Sequence, residues 1–500
     1  MNDAPASPSP APPLASLLSD PGLARLDAYI AGGWRSAASG GRFSVHNPAT
    51  GALLAEVADL GAAETEEAIA AAVRAQQGWA EETAKTRSAA LKRWHALVLE
   101  HADDLATLIT AECGKPRAEA VAEVAYGASF IEWFAEEAKR AYGEVIPTHN
   151  ASQRIVVMKQ PVGVVGAITP WNFPVAMITR KCAPALAVGC AVVLKPAEQT
   201  PLSALALAEL ANRAGLPAGV LNVVCGQDGP AMGAALTGSA EVRKITFTGS
   251  TEVGRILMRA SAEHIKKVSL ELGGNAPFIV FDDADLEAAV DGALASKFRN
   301  AGQTCVCANR IYAQSGIYDA FAARLAEKAA ALRVGDGSAE GVQIGPLIEP
   351  AAVEKVARHV ADATGKGAKV LTGGGPATAV GPLFFEPTVL RDVTSEMAVA
   401  REETFGPVAP VFRFEDEADV IAQANATEYG LAAYFYARDL GRVWRVAERL
   451  DYGMVGVNAG VIATELAPFG GVKQSGLGRE GSRHGLEEFL EMKYVLMGGV

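Results

Sequence analysis

AVVLKPAEQTPLSALALAELANRAGLPAGVLNVV (residues 191–224) decides the fold class. Two short apolar runs, AVVLK (191–195) and LNVV (221–224), flank a helix-length stretch at 201–214. Runs apolar on both faces need cover on both faces, and a helical crossover lets the strands it joins pair in parallel. Outward from this unit the pattern repeats. VGVVGAIT (162–169), KITFT (244–248) and KVSLEL (267–272) read as further strands, and 175–187, 229–236 and 251–262 as helices. Strands alternating with helices predict a parallel, doubly wound α/β sheet. A second alternating stretch follows a boundary near Leu272-Gly273-Gly274. Its strands are FIVF (278–281), RIYAQ (310–314), TVL (388–390), VAPVFRF (408–414), AAYFYA (432–437) and GMVGVN (453–458), with helices at 285–298, 316–332 and 439–450. Residues 64–140 read as helices, broken near Thr83 and at Gly114-Lys115-Pro116. RIVVMKQ (154–160) and EMKYVLM (491–497) alternate and belong to neither sheet, which predicts pairing with a partner chain.

Composition narrows the function classes. Of 500 residues, 57 are acidic and 45 basic, a net charge of −12, and half are hydrophobic. That is a globular chain, and its acidity opposes nucleic-acid binding through a basic field. Six cysteines are too few for a disulfide framework, and neither CxxC nor HExxH occurs, so no metal site is expected. The first 20 residues are rich in Ala, Pro and Ser and carry no Lys or Arg. They read as a flexible tail rather than a targeting signal, and a cytoplasmic location is expected. Pro161–Thr179, the longest strongly apolar stretch without charge, holds Asn172, three Pro and two Gly, so no membrane span is expected.

Several motifs sit where such sheets place chemistry. FTGSTEVG (247–254) is a strand, a Gly turn at Gly249-Ser250 and a helix start, which is either an anion site or a simple connection. GLGREG (476–481) matches GxGxxG but has no strand before it, so it reads as a structural turn. Cys305, in GQTCVC (302–307), is either inert core or the nucleophile of covalent catalysis. Glu271 ends an apolar strand in ELGG (271–274); there it is either a surface strand end or a general base facing the crevice. In TPWNFP (169–174) Asn172 is placed to donate to an oxyanion, and in KPAEQTP (195–201) Lys195 and Glu198 face the same crevice edge.

Taken together with EETFGPV (402–408) and PFGGVKQSGLGREG (468–481), these motifs follow the order seen in the aldehyde dehydrogenase superfamily, and the resemblance covers nearly all of 25–500. Longer stretches, such as MITRKC (177–182) and the run from Phe278 to Arg310, look like its succinate-semialdehyde branch, with glutarate-semialdehyde enzymes nearby. The resemblance implies an aldehyde dehydrogenase fold: a Rossmann-like cofactor domain (21–145 and 162–271), an α/β catalytic domain (272–470) and oligomerisation strands (146–161 and 485–500). It implies Cys305 as nucleophile, Glu271 as base and Asn172 as oxyanion donor. Trp171, Lys195, Glu198, Gly249, Ser250, Leu272, Glu403 and Phe405 are implied around NAD or NADP, with NAD preferred because a carboxylate at Glu198 repels a 2′-phosphate.

For the substrate, the resemblance singles out Arg180 and Arg299, since a second carboxylate on the aldehyde needs a cationic partner. Ala463 stands where this branch carries a hydroxyl, with Thr464 adjacent. The expected reaction is oxidation of a semialdehyde, succinate semialdehyde first and glutarate semialdehyde second, in a homodimer or homotetramer. The rival is a cysteine hydrolase or thioesterase using Cys305 without redox chemistry, which leaves FTGST, KPAE and Glu403 unexplained together.

Overall fold

The computed structural model describes residues 14–500. Two large sheets, each with its own apolar core, carry the architecture. In the first, five parallel strands stand in the order Lys267–Glu271, Val242–Thr248, Val164–Ile168, Ala191–Lys195 and Leu221–Val223. Numbered along the chain this order is 5-4-1-2-3, so the winding reverses between Val164–Ile168 and Val242–Thr248. Loops leaving the carboxyl ends of two such strands diverge and open a crevice. Those loops are the turn beginning at Thr169 and the Gly249-Ser250 turn. Antiparallel strands finish the sheet: Ala28–Ile30 and Gly33–Arg35 at one edge, and the two-residue Gly476–Leu477 at the other.

The chain crosses to the second sheet between Glu271 and Ala276. This sheet has seven strands, ordered Lys369–Thr372, Thr388–Arg391, Val408–Phe414, Ala308–Gln314, Ala276–Val280, Ala432–Tyr436 and Met454–Val457, and only the first is antiparallel to its neighbour. The amino ends of Ala276–Val280 and Ala308–Gln314 therefore receive the loops carrying Gly273 and Cys305. A Cβ on Gly274 would stand 2.4 Å from the Cys305 carbonyl oxygen, so glycine there lets the two loops touch.

Two expectations need correction. The alternating strands outside the sheets pair with each other: Gln153–Pro161 and Leu490–Gly498 run antiparallel in register, and Glu144–Ile146 adds a third strand. A flexible tail over 1–20 fails for its described part. Leu14 and Leu18 are buried, the Ser19 and Asp20 amides donate to the Asp104 carboxylate at 2.7 and 2.9 Å, and Asp20 caps the turn at Pro21–Leu23. Residues 1–13 of that tail lie outside the described residues. Among the described residues no helix is long and apolar enough to cross a membrane, and no cluster of metal-ligating side chains occurs.

Candidate active site

A cavity of about 360 Å³ lies at the reversal point of the first sheet and faces the second. Trp171 and Asn172 reach it from the turn after Ile168, Gly249 and Ser250 from the turn after Thr248, and Leu272 from the crossing segment. Cys305 comes from its own loop, Glu403 and Phe405 from the segment before Val408–Phe414, and Lys355 from the Pro350–Gly365 helix. The Phe405 ring meets Trp171 edge-on at 5.7 Å, its backbone held at φ 53°.

One end of the cavity suits an anion. Ser250 is the N-cap of the Thr251–Ala262 helix; its hydroxyl accepts from the Val253 amide at 3.3 Å, so the side chain is committed to the helix. The free amides and dipole of that helix end face the crevice. Gly254 lets the helix lie on Leu272, because a Cβ there would come within 2.5 Å of the leucine side chain. The Thr248 hydroxyl is buried without a partner in the same wall. Lys195 and Glu198 do not line the cavity. They form an ion pair at 2.8 Å on the neighbouring strand end. This donor set fits a dinucleotide.

At the other end stands the thiol. Asn300, Ala301 and Gly302 are all left-handed (φ 51°, 54° and 76°), which turns the chain out of the Leu286–Phe298 helix into the Cys305 loop. The Gln303 side chain fastens this loop by donating to the Asn300 and Pro346 carbonyls and accepting from the Ile348 amide at 3.0 Å. Cys305 is half-buried, and burial pushes its thiol up to about 12, with Glu403, Glu271 and Cys307 adding to the rise and Arg180 opposing it. Asn172 is buried; its amide donates to the Gln303 carbonyl at 3.1 Å, leaving a second N–H, and its Oδ1 has no partner. Glu403 is pushed up to about 7 by burial, although the Gly274 amide donates to it at 3.0 Å.

Glu271 ends its strand 3 % exposed, with one carboxyl oxygen unpartnered. Burial first, then the charge of Glu480, holds it well above the ordinary carboxylate range, against Arg180 and Lys181. Gly470 makes room for it, since a Cβ there would lie 2.8 Å from Glu271 Oε1.

The structure separates the two arginines. Arg180 is not a free clamp: it is 2 % exposed, pairs with Glu480 at 2.6 Å and lies over the Phe469 ring at 4.0 Å. Glu480 also takes Lys181. Arg299 makes no ion pair among the described residues. It stands over the Phe173 ring at 5.4 Å and lines a second cavity of about 220 Å³ with Glu119, Tyr126 and Ala463. Thr464 does not line it and donates to Glu465 instead.

Sequence reasoning missed Glu480, Lys181, Gln303 and Lys355. Glu480 lay inside GLGREG, whose reading as a turn describes the backbone: Gly478 and Gly481 are left-handed, and Gly476–Leu477 pairs beside Glu271. A carboxylate in a glycine turn, with the adjacent cations Arg180 and Lys181 elsewhere in the chain, was the available signal.

Residues 34–495 match the aldehyde dehydrogenase family. The chain is 61 % identical over 483 residues to glutarate-semialdehyde dehydrogenase of Pseudomonas aeruginosa, covering 97 % of this chain and 100 % of that protein. It is 62 % identical over 483 residues to 3-sulfolactaldehyde dehydrogenase of Pseudomonas putida, covering 97 % and 99 %. It is also 62 % identical over 481 residues to the NADP(+) succinate-semialdehyde dehydrogenase of Escherichia coli, covering 96 % and 99 %. The match to the family model spans the five parallel strands of the first sheet, the whole second sheet and every loop that lines the main cavity, and the chain belongs to the aldehyde dehydrogenase family.

Proposed function

We propose that this oxidoreductase converts a small semialdehyde bearing a second, anionic group to the corresponding acid, with succinate semialdehyde as first substrate and glutarate semialdehyde next. The observation that carries the reading is Arg299, an uncommitted guanidinium lining a cavity that also contains Ala463, six residues before the nucleophile. Relatives named for glutarate, succinate and sulfolactate aldehydes share one feature, an anion on the far side of the aldehyde. A guanidinium there holds such an anion and orients the carbonyl.

In this reading the Cys305 sulfur adds to the carbonyl carbon as the thiolate, its proton having passed to solvent. The oxyanion is met by the free N–H of Asn172 and the Cys305 amide. The bound nicotinamide cofactor supplies the acceptor for the hydride that leaves the former aldehyde carbon. What remains on Cys305 is a thioester. Glu271 takes a proton from water as that water attacks, the C–S bond breaks, and the acid leaves. Gly249 and the Ser250 helix end would hold the pyrophosphate, Glu403 the nicotinamide ribose, Lys195 and Glu198 the adenosine ribose, with Trp171, Leu272 and Phe405 around the rings.

Family membership brings NAD(P) use. We infer a preference for NAD from the half-exposed Glu198 carboxylate, which repels a 2′-phosphate; its pairing with Lys195 weakens that repulsion. We place the protein in the cytoplasm because all six cysteines are free thiols. A homodimer or homotetramer is inferred through the three-stranded sheet. The test is the rate of nicotinamide reduction with succinate semialdehyde against butanal, run with each cofactor. The semialdehyde should be used at least tenfold more efficiently, by about the strength of one charge-assisted hydrogen bond. Equal use of butanal would leave only a general aldehyde dehydrogenase.

A further inference from the structure

Lys115 lies in the break between the Ala102–Cys113 and Arg117–Glu137 helices, yet its side chain is wholly buried. Its ammonium sits 3.7 Å from the centre of the Phe173 ring. One of its N–H groups goes to the Glu123 carboxylate, equally buried, and another to the Asn172 carbonyl at 2.8 Å. The other Glu123 oxygen accepts from the Val175 and Ala176 amides at 2.9 and 3.3 Å, where the Ala176–Val188 helix begins. The pair thus grips both ends of the turn that carries Asn172.

A second tie closes the arrangement. The Asn300 carboxamide donates to the Asn172 carbonyl at 3.2 Å and to the Gln303 carbonyl at 3.3 Å, and Gln303 in turn accepts from the Asn172 amide at 3.1 Å. Backbone and side chain of Asn172 are therefore held against the Cys305 loop by one small ring of hydrogen bonds. The Asn172 Oδ1 is buried without a partner, so this ring alone sets which way the second N–H points. Burying an ion pair is a poor route to stability, because apolar residues of similar volume serve as well.

We propose that Lys115, with Glu123 and Asn300, is a positioning unit that fixes the Asn172 carboxamide toward the oxyanion site. This rests on the reading of Asn172 as oxyanion donor. It acts through Asn172 and touches no substrate. The unit matters whenever a tetrahedral oxyanion forms on Cys305, and is irrelevant to reactions of the thiol that form none.

The experiment compares Lys115→Met, Asn300→Gly and Asn172→Ala with wild type, in the intact chain. Asn300→Gly keeps a residue that tolerates the left-handed backbone, so it folds even if Lys115→Met does not. Two reactions of Cys305 are timed: acylation by p-nitrophenyl acetate, which passes through an oxyanion, and alkylation by iodoacetamide, which does not. The expected result is a fall in acylation of about 10- to 100-fold in both positioning variants, the scale of a misdirected donor, with alkylation unchanged. Wild-type acylation in Asn300→Gly beside slow acylation in Asn172→Ala overturns the positioning unit and leaves the oxyanion reading intact. Wild-type acylation in Asn172→Ala removes the oxyanion reading itself. A parallel loss of alkylation in Asn300→Gly also overturns the proposal, because it marks a collapsed loop.

Discussion

The roles proposed for Glu403 and Arg299 rest on single contacts, and each makes a prediction at that scale. Burial raises the Glu403 carboxyl to about 7, so it is mostly protonated below that pH and ionised above it. Only the carboxylate accepts hydrogen bonds from both hydroxyls of a ribose. Affinity for NAD should therefore strengthen as pH rises through about 7, and calorimetry on Glu403→Gln should show a flatter profile. The uncommitted Arg299 is expected to hold the far anion. Arg299→Ala should lower kcat/KM for succinate semialdehyde by roughly 10- to 150-fold, the equivalent of about 1.5–3 kcal/mol. Butanal oxidation should stay nearly constant. A matching loss with butanal would move Arg299 from substrate binding to support of the loop. At this scale the sequence was legible where a residue sits in a marked turn, since Asn172 and Cys305 both line the main cavity, whereas Glu271, read as facing the crevice, is buried at its strand end outside that lining. The pairing of Arg180 was not legible, because its partner, Glu480, lies 300 residues away on a turn whose spacing resembles something else. No local pattern reports such a contact.

The helices and strands around the first sheet were the most legible elements. Ala191–Lys195 and Thr251–Ala262 begin and end where their apolar pattern and N-cap say they should. Gly476–Leu477 was not visible, since two residues carry no period, although its pairing places Ser475 and Glu480 beside the crossing segment. The Pro350–Gly365 helix was missed too, and Lys355 with it, because it follows a long irregular stretch that offered no strand to count from. The Ala176–Val188 helix delivers Arg180 and Lys181 together to Glu480, whose carboxylate is held below its ordinary range chiefly by Lys181 and Arg180 against the cost of burial. Glu480→Gln leaves two buried cations short of a counter-charge. Such a loss costs about 3–5 kcal/mol, read as a lower denaturant midpoint with little change in slope. A wild-type midpoint would show that the cluster is solvated and structurally idle.

For the whole molecule, the alternating strands predicted pairing with a partner chain, and the structure pairs them with each other. Because Gln153–Pro161 and Leu490–Gly498 pair within the chain, what remains open is the sheet they form. Met492, Tyr494, Leu496 and Ile146 share one face of it and are 74, 60, 44 and 40 % exposed, an apolar face wider than a lone surface residue requires. A second copy of the chain is the expected cover. Met492→Glu with Tyr494→Lys should shift the protein to a smaller species in sedimentation; an unchanged species would place the interface elsewhere.

Covalent catalysis ties these scales together, and trapping the thioester tests it most directly. In Glu271→Gln the carboxylate proposed to activate water is gone, so oxidation should proceed once and then stop. Mixed with succinate semialdehyde and NAD, this variant should release one equivalent of reduced cofactor per active site. Mass spectrometry should then find a single succinyl group on the peptide containing Cys305. Sustained turnover with no acyl group on Cys305 would contradict the account, and an acyl group on Cys307 or any other thiol would assign the nucleophile elsewhere.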